Sequence, residues 1–368
     1  IILLIIGALS GTWLISGIVP AMIYYGLKIL NPEIFLLASC IICAIVSIAS
    51  GSSWSTIATI GIALLGIGKS MGFSDGIIAG SIISGAYFGD KMSPLSDTTN
   101  LAAAVAETEL FSHIKYMMYT TIPSFVITLI IFLFIGFNIN VESSENINAL
   151  LSTLESTFNI NLYLFIVPMI VILLIVKKTP AIPALLAGTL LALVCAFIFQ
   201  PQIILEVSQM NNLSIKSYYL AAINSMGSNI SISSKNILIS DLLSSSGMQG
   251  MMNTVWLVVC AMSFGGAMEA GGLLNRISSP IIKYAKSTGS LIATTSSACI
   301  FFNLTTSDQY LSIVVPGRMF TESYKEKGLA PENLSRTIED SGTVTSVLIP
   351  WNTCGAAQSA VLGVATIA

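Results

Sequence analysis

The chain has 368 residues, of which 54% are apolar and only 9% charged, and its mean hydropathy is +0.85. Soluble domains carry about 25% charged residues, so this composition excludes a fold that must clothe its whole surface for water. With 15 Lys and Arg against 18 Asp and Glu the formal net charge is -3, which excludes the basic field that nucleic-acid binding requires.

A helix that crosses a hydrocarbon core of roughly 30 Å needs about 20 mainly apolar residues. In chain order, such runs are expected over residues 1–30, 34–50, 56–71, 76–106 and 117–137, then over 162–176, 181–199, 254–274, 291–303, 309–320 and 342–368. Two stretches are expected to be aqueous: 138–161, with Glu142, Glu145, Glu155 and no basic residue, and the Ser- and Asn-rich 200–253. The expected fold class is therefore an all-α polytopic membrane protein. Its parts are a first membrane repeat over 1–137, an extracytoplasmic linker over 138–161, and scaffold helices, an outer loop and a second membrane repeat over 162–368. The chain opens and closes inside apolar runs, at Ile1 and Ala368, and reads as a piece trimmed at both ends with no recognisable signal peptide. The six cysteines sit mostly in apolar runs and are expected to be small buried hydrophobes rather than a disulfide frame.

Lys and Arg gather on the cytoplasmic side of membrane proteins. Placing the acidic 138–161 outside puts Lys115, Lys177, Lys178, Arg276, Lys283, Lys286, Arg318, Lys325, Lys327 and Arg336 inside, and only Lys28, Lys69, Lys216 and Lys235 outside. This scheme requires two segments to enter the membrane and return. One has its tip at Thr305, Thr306, Ser307, Asp308 and Gln309, the other at Gly51, Ser52, Ser53, Trp54 and Ser55. Open backbone of this kind is tolerated only against protein or water. Ser53 pairs with Ser307, Gly72 with Gly328 and Pro94 with Pro350 at nearly constant offsets. The pattern predicts two inverted-topology repeats with re-entrant hairpins and broken helices, meeting at a site near the midplane.

Each carboxylate within the membrane needs an explanation, because a charge at mid-bilayer costs at least ~2.5 to 3.5 kcal/mol. Asp97 lies in the knot Pro94-Leu95-Ser96-Asp97-Thr98-Thr99-Asn100, and Asp308 follows Thr305, Thr306 and Ser307. Both are expected to hold Na+, with Ser96, Thr98, Thr99, Asn100, Ser52, Ser53, Thr305, Thr306, Ser307, Asn352 and Thr353 as neutral oxygen ligands, since hard cations favour hard oxygens. Helix N-capping is the competing explanation for the same residue types. Asp90 and Lys91 are adjacent and are expected to supply supporting charge, through a structural ion pair or the transport path. Glu339 and Asp340, close to Arg336, are expected at the membrane boundary, Glu269 in a glycine-rich packing run, and His113 in a solvated cytoplasmic loop.

Three stretches resemble the NhaC family of sodium/proton antiporters. They are Gly89-Asp90-Lys91-Met92-Ser93-Pro94-Leu95-Ser96-Asp97-Thr98-Thr99-Asn100-Leu101, Thr305 to Tyr310, and Glu339-Asp340-Ser341-Gly342-Thr343-Val344-Thr345 running into Ile349 to Gly355. The resemblance implies a multi-pass antiporter of the bacterial cytoplasmic membrane, in a family that includes exchangers of malate and protons for lactate and sodium. The chain is also similar to the ion-transporter superfamily, whose Ser-Asn-Thr knots bind sodium. Asn352-Thr353 keeps part of that knot, and Asp97 takes the matching place in the first half. Na+ and H+ are then the expected cargo, with no cofactor, a lipid bilayer as the surroundings and a homodimer left open. Antiport requires one carboxylate that cannot hold both ions: burial favours the protonated form and bound sodium the charged one. The alternative is sodium-coupled exchange of a small organic anion, for which Lys91 is the main intramembrane cation. An intramembrane aspartyl protease is disfavoured, because Asp90 follows Tyr87-Phe88-Gly89 and lacks the first glycine of a Gly-x-Gly-Asp signature.

Overall fold

The computed structural model describes residues 1–138, 144–177, 179–232, 243–273, 276 and 287–367, without the side chains of 144–149, 176, 261, 265 and 269. Glu142, Lys178, Lys235, Lys283, Lys286 and the side chains of Glu145 and Glu269 thus lie outside the described residues. The first apolar run is two helices, α1 (Ile2–Ile15) and α2 (Ile18–Ile29), bent by 68°. The bend turns on Gly17, whose φ of +80° suits a residue without Cβ. The Gln200 amide fills the corner by donating to the freed Ser16 carbonyl at 3.3 Å.

Next come α3 (Pro32–Ser50), α4 (Ser53–Thr56), a π-turn (Ile57–Gly61), α5 (Ile62–Ser70), α6 (Asp75–Met92), α7 (Asp97–Val105) and α8 (Leu110–Asn138). The acidic linker is not all loop, for it holds α9 (Ser144–Thr157), with Leu150 and Leu154 buried. Tyr24 donates a hydrogen bond to Glu155 and so ties α9 to α2. After α10 (Ile166–Val176) and α11 (Ala181–Phe199), the stretch expected to be aqueous over 200–253 also proves structured. It contains α12 (Pro201–Ser208), α13 (Ile215–Gly227), a two-stranded pair of β1 (Ile230–Ser231) with β2 (Ser244–Ser245), and the first turns of α14 (Gly247–Ala270). Ile203, Ile204 and Val207 give α12 a buried face despite the polar composition around it. The last elements are α15 (Thr288–Thr305), α16 (Gln309–Glu326), α17 (Pro331–Ile338), a second π-turn (Glu339–Thr343), α18 (Val344–Ser346) and α19 (Thr353–Leu362).

Among the described residues, Pro32–Ser50, Leu110–Asn138, Ala181–Phe199 and Gly247–Met268 are long and apolar enough to cross a membrane, and two bent pairs raise four such spans to six if each pair is one span. Ile127, Ile131 and Phe134 on α8 are exposed, as lipid-facing side chains are. The chain is a multi-pass, all-α membrane protein.

Break points recur along it. Positive φ falls at Gly51 and Ser307, at Gly72 and Gly328, and at Glu107 and Gly363, always at one sequence spacing. The N-caps Ser96 and Asn352 share that spacing, as do the starts of α3 and α15 and of α6 and α17. At this spacing Ser307 stands against Gly51 rather than Ser53, and both are left-handed residues. The chain forms two compact units. One comprises 1–46, 54–85 and 129–253, the other 47–53, 86–128 and 254–368. In the first, α1 packs on α11, with Trp13 donating to the Gly188 carbonyl at 3.4 Å. In the second, Phe320, Tyr324, Leu334 and Ile338 join Ala102 and Cys299 in one apolar cluster.

Candidate functional site

The polar interior lies within the second unit. Helix α6 stops at Met92 because Pro94 cannot continue the ladder, and Ser93 anchors the break by donating to the Ile48 carbonyl at 2.8 Å. The side chain of Ser96 caps α7 through the Thr99 amide at 3.5 Å. The carbonyls released by the break are taken up locally. The Asn100 amide donates to those of Pro94 (3.0 Å) and Ser96 (2.7 Å), and the Thr99 hydroxyl to that of Lys91 (3.1 Å). Thr99 and Asn100 therefore hold the knot together, and Asn100 is exposed.

Asp90 is 7% exposed and accepts from both the amide (3.1 Å) and the hydroxyl (2.6 Å) of Ser53 at the first hairpin tip. Ser52, beside it, is bound into the bend by Ser50. Lys91 does not pair with its neighbour. Its ammonium, 4% exposed as a residue, reaches Asp340 Oδ1 at 2.5 Å, while Asp340 Oδ2 accepts from Thr120 at 2.9 Å and faces Arg336 at 3.5 Å.

Glu339 is the main departure from expectation. It is fully buried, at 0% exposure, against the knot of the first half. Thr98 donates to its Oε1 at 3.0 Å and lies 3.1 Å from the Ser96 hydroxyl. Oε2 and the Thr343 hydroxyl are buried without a completed hydrogen bond of normal geometry, although Thr343 is close enough to act on the carboxylate. Arg336 misled the sequence reading because its charge is absorbed by Asp340 and by the ring of Tyr116, 5.9 Å away. His113 is likewise buried rather than solvated, with Nδ1 2.8 Å from the Ser335 hydroxyl.

In the second half Asp308 caps α16, accepting from the Leu311 amide at 2.9 Å, as the capping explanation requires. Thr305 and Thr306 donate back to Phe301 and Phe302 at 2.8 and 2.7 Å, which leaves their oxygen lone pairs unused. The Ser307 carbonyl accepts from the Thr353 amide at 2.9 Å. Buried Asn352 donates to Asn303 Oδ1 at 3.0 Å, and Asn303 to the Gly342 carbonyl at 2.7 Å and the Thr345 hydroxyl at 2.9 Å. Sequence reasoning passed over Asn303. The signal available for Asn303 was an amide inside an otherwise apolar run.

Asp97 is exposed in the first turn of α7. Asp97 directly precedes Thr98, whose hydroxyl bonds Glu339, and Asp90 meets the first tip through Ser53; Glu339 feels Lys91 and, less strongly, Asp90. Lys91 and Arg336 are both engaged by Asp340, so Asp90 and Glu339 have no cation within 4.0 Å among the described residues. Nor do those residues contain a cluster of three His, Cys, Asp or Glu suited to a transition metal. The donors are carboxylates, hydroxyls and amides, a set for hard cations.

The fold and these oxygens define a multi-pass membrane protein with a candidate cation site. The chain belongs to the Na+/H+ antiporter family, whose model matches residues 85–368. It is 38% identical to the Na(+)/H(+) antiporter NhaC of Alkalihalophilus pseudofirmus, over 100% of this chain and 76% of that protein. It is 36% identical to the malate-2H(+)/Na(+)-lactate antiporter of Bacillus subtilis, over 100% of this chain and 75% of that one. A third relative, the arginine/ornithine antiporter ArcD of Halobacterium salinarum, is 33% identical over 99% of this chain and 73% of its own length. These relatives are transporters rather than enzymes.

Proposed function

We propose that the chain exchanges Na+ for H+ across the bacterial cytoplasmic membrane by alternating access, with two inverted repeats supplying paired broken helices to one cation path. The observation that carries this reading is the pair of buried carboxylates, Asp90 held by the Ser53 hydroxyl and Glu339 by that of Thr98, neither with an ion pair among the described residues. Uncompensated charge in a dry interior is costly, and either cargo ion removes the cost. Asp97, exposed at the break, is the exchange carboxylate, and Asp308 stands at the corresponding tip of the second half. Ser96, Thr98, Ser52, Ser53, Thr305, Thr306, Ser307, Asn352 and Thr353 supply neutral oxygens or hold those that do. Exchange follows because a carboxylate occupied by a proton gives up sodium and one occupied by sodium gives up the proton.

The test is sodium-driven pH change in proteoliposomes. Asp97→Asn keeps size but removes the charge, so exchange is expected to stop. Asp97→Glu keeps the charge and is expected to retain activity with altered sodium affinity. An inserted Asp97→Asn protein exchanging at the parental rate assigns the role elsewhere. The malate-2H(+)/Na(+)-lactate relative favours a second reading, sodium-coupled exchange of a small organic anion. Against it stands the engagement of Lys91 by Asp340, which already neutralises the main intramembrane cation available to a dianion. Uptake of labelled malate or lactate separates the two.

A further inference from the structure

Buried carboxylates in folded proteins have their oxygens hydrogen-bonded or paired with charge. Glu339 departs from that rule on one side only. Oε1 has the Thr98 hydroxyl at 3.0 Å, itself 3.1 Å from the Ser96 hydroxyl, whereas Oε2 has no completed bond. The second buried orphan, Thr343 Oγ1, acts on the same carboxylate from four residues along the chain, the spacing that brings side chains to one face. The residues from Glu339 to Thr343 form a π-turn, a local widening found chiefly at functional sites. Lys91 and Arg336 both bind Asp340, so Lys91 acts on Glu339 only from beyond ion-pair distance.

We infer that Glu339 is a direct ligand of a dehydrated alkali cation, completed by the Thr98 and Thr343 hydroxyls. This inference rests on the antiport reading and deepens it by assigning the buried end of the ion path. A cation there would satisfy Oε2 and Thr343 together and neutralise the one fully buried acid without an ion pair among the described residues. After donating its proton to Glu339 and accepting that of Ser96, the Thr98 hydroxyl keeps one lone pair, so it can bond Glu339 and face the ion at once. One carboxylate with two hydroxyls is a donor set for a hard cation, and sodium and lithium are the ions it would distinguish.

Glu339→Gln is nearly isosteric and leaves the ligand set one charge short. In proteoliposomes the apparent KM for sodium is expected to rise at least tenfold, and the preference between sodium and lithium to change. Thr343→Val, which alters no charge, is expected to shift KM in the same direction by a smaller factor, while Thr343→Ser stays near parental. If Glu339→Gln gives no measurable exchange, equilibrium binding of radioactive sodium to the purified protein decides. Loss of binding supports the inference, and parental affinity overturns it. A buried acid with a purely structural role predicts that Glu339→Gln keeps the parental KM and ion preference, and that result also overturns it, leaving the antiport reading intact. Absence of sodium-driven exchange in the parental protein instead removes the antiport reading.

Discussion

Replacing Lys91 by Met tests the charge arrangement on which the site depends. Its ammonium is 2.5 Å from Asp340 Oδ1, with side-chain exposures of 5% and 22%. Removing one partner of a buried pair costs about 3 to 5 kcal/mol, because the other charge is left uncompensated. Here Asp340 keeps Thr120 at 2.9 Å and Arg336 at 3.5 Å, so the lower end applies. A loss of about 3 kcal/mol corresponds to about two orders of magnitude in the folded-to-unfolded ratio. Reversible unfolding in mixed micelles reads this directly. The double variant Lys91→Met, Asp340→Asn removes both charges of the pair and is expected to recover at least about 1 kcal/mol of the loss, the signature of coupled neighbours. A single Lys91→Met variant within about 0.5 kcal/mol of the parent would refute the claim that Lys91 is committed to Asp340, and with it the argument that Glu339 lacks an ion pair because Asp340 takes it.

Two further outcomes are expected. Single cysteines at Asn159 and Lys177, both exposed, should label from opposite sides of the membrane, with Asn159 outside; labelling from one side would remove the inverted-repeat proposal. Gly51 has φ +66°, and a Cβ there would press on the Leu95 backbone. Gly51→Ala should therefore cost at least about 1 to 2 kcal/mol from the left-handed conformation alone, and an unchanged thermal midpoint would show that the tip can relax.

Much of the architecture was legible because it follows from solvent and from backbone chemistry. Sparse charge announced the membrane, and Pro94 with its Ser, Asp and Asn neighbours announced a broken helix, which the structure resolves into α6, a knot and α7. What escaped depends on partners distant in sequence. Glu339 is placed by Thr98 and His113 by Ser335, more than two hundred residues away in each case, and no local pattern encodes those meetings. Arg336 pointed to a boundary, since the sequence does not show a cation being neutralised by Asp340 and covered by Tyr116. The helices α12 and α13 were hidden for a different reason. Ser and Asn dominate their surroundings, while Ile203, Ile204 and Val207 supply enough apolar face to dock α12.

The hairpin tips show how the two halves solve one backbone problem differently. Both need a left-handed residue, and Gly51 meets the need without a Cβ, whereas Ser307 does so at φ +58°. That conformation costs roughly 1 to 2 kcal/mol for a residue with a Cβ, and it persists only where the surroundings over-determine it. They do so at Ser307: its carbonyl accepts from Thr353, the next residue caps α16 through Leu311, and its own side chain is buried at 3% exposure. A glycine would remove the cost and also the hydroxyl. Strain retained where glycine is the easier solution points to a use for the side chain. Ser307 adjoins Asp308 on the stretch that Thr353 pins to the second broken helix, so its backbone is held in place beside the Asp308 cap. The second tip thereby gains an oxygen that the first lacks, and the first compensates with the Ser53 hydroxyl on Asp90. Two halves with matching break points consequently present unlike sets of polar oxygens.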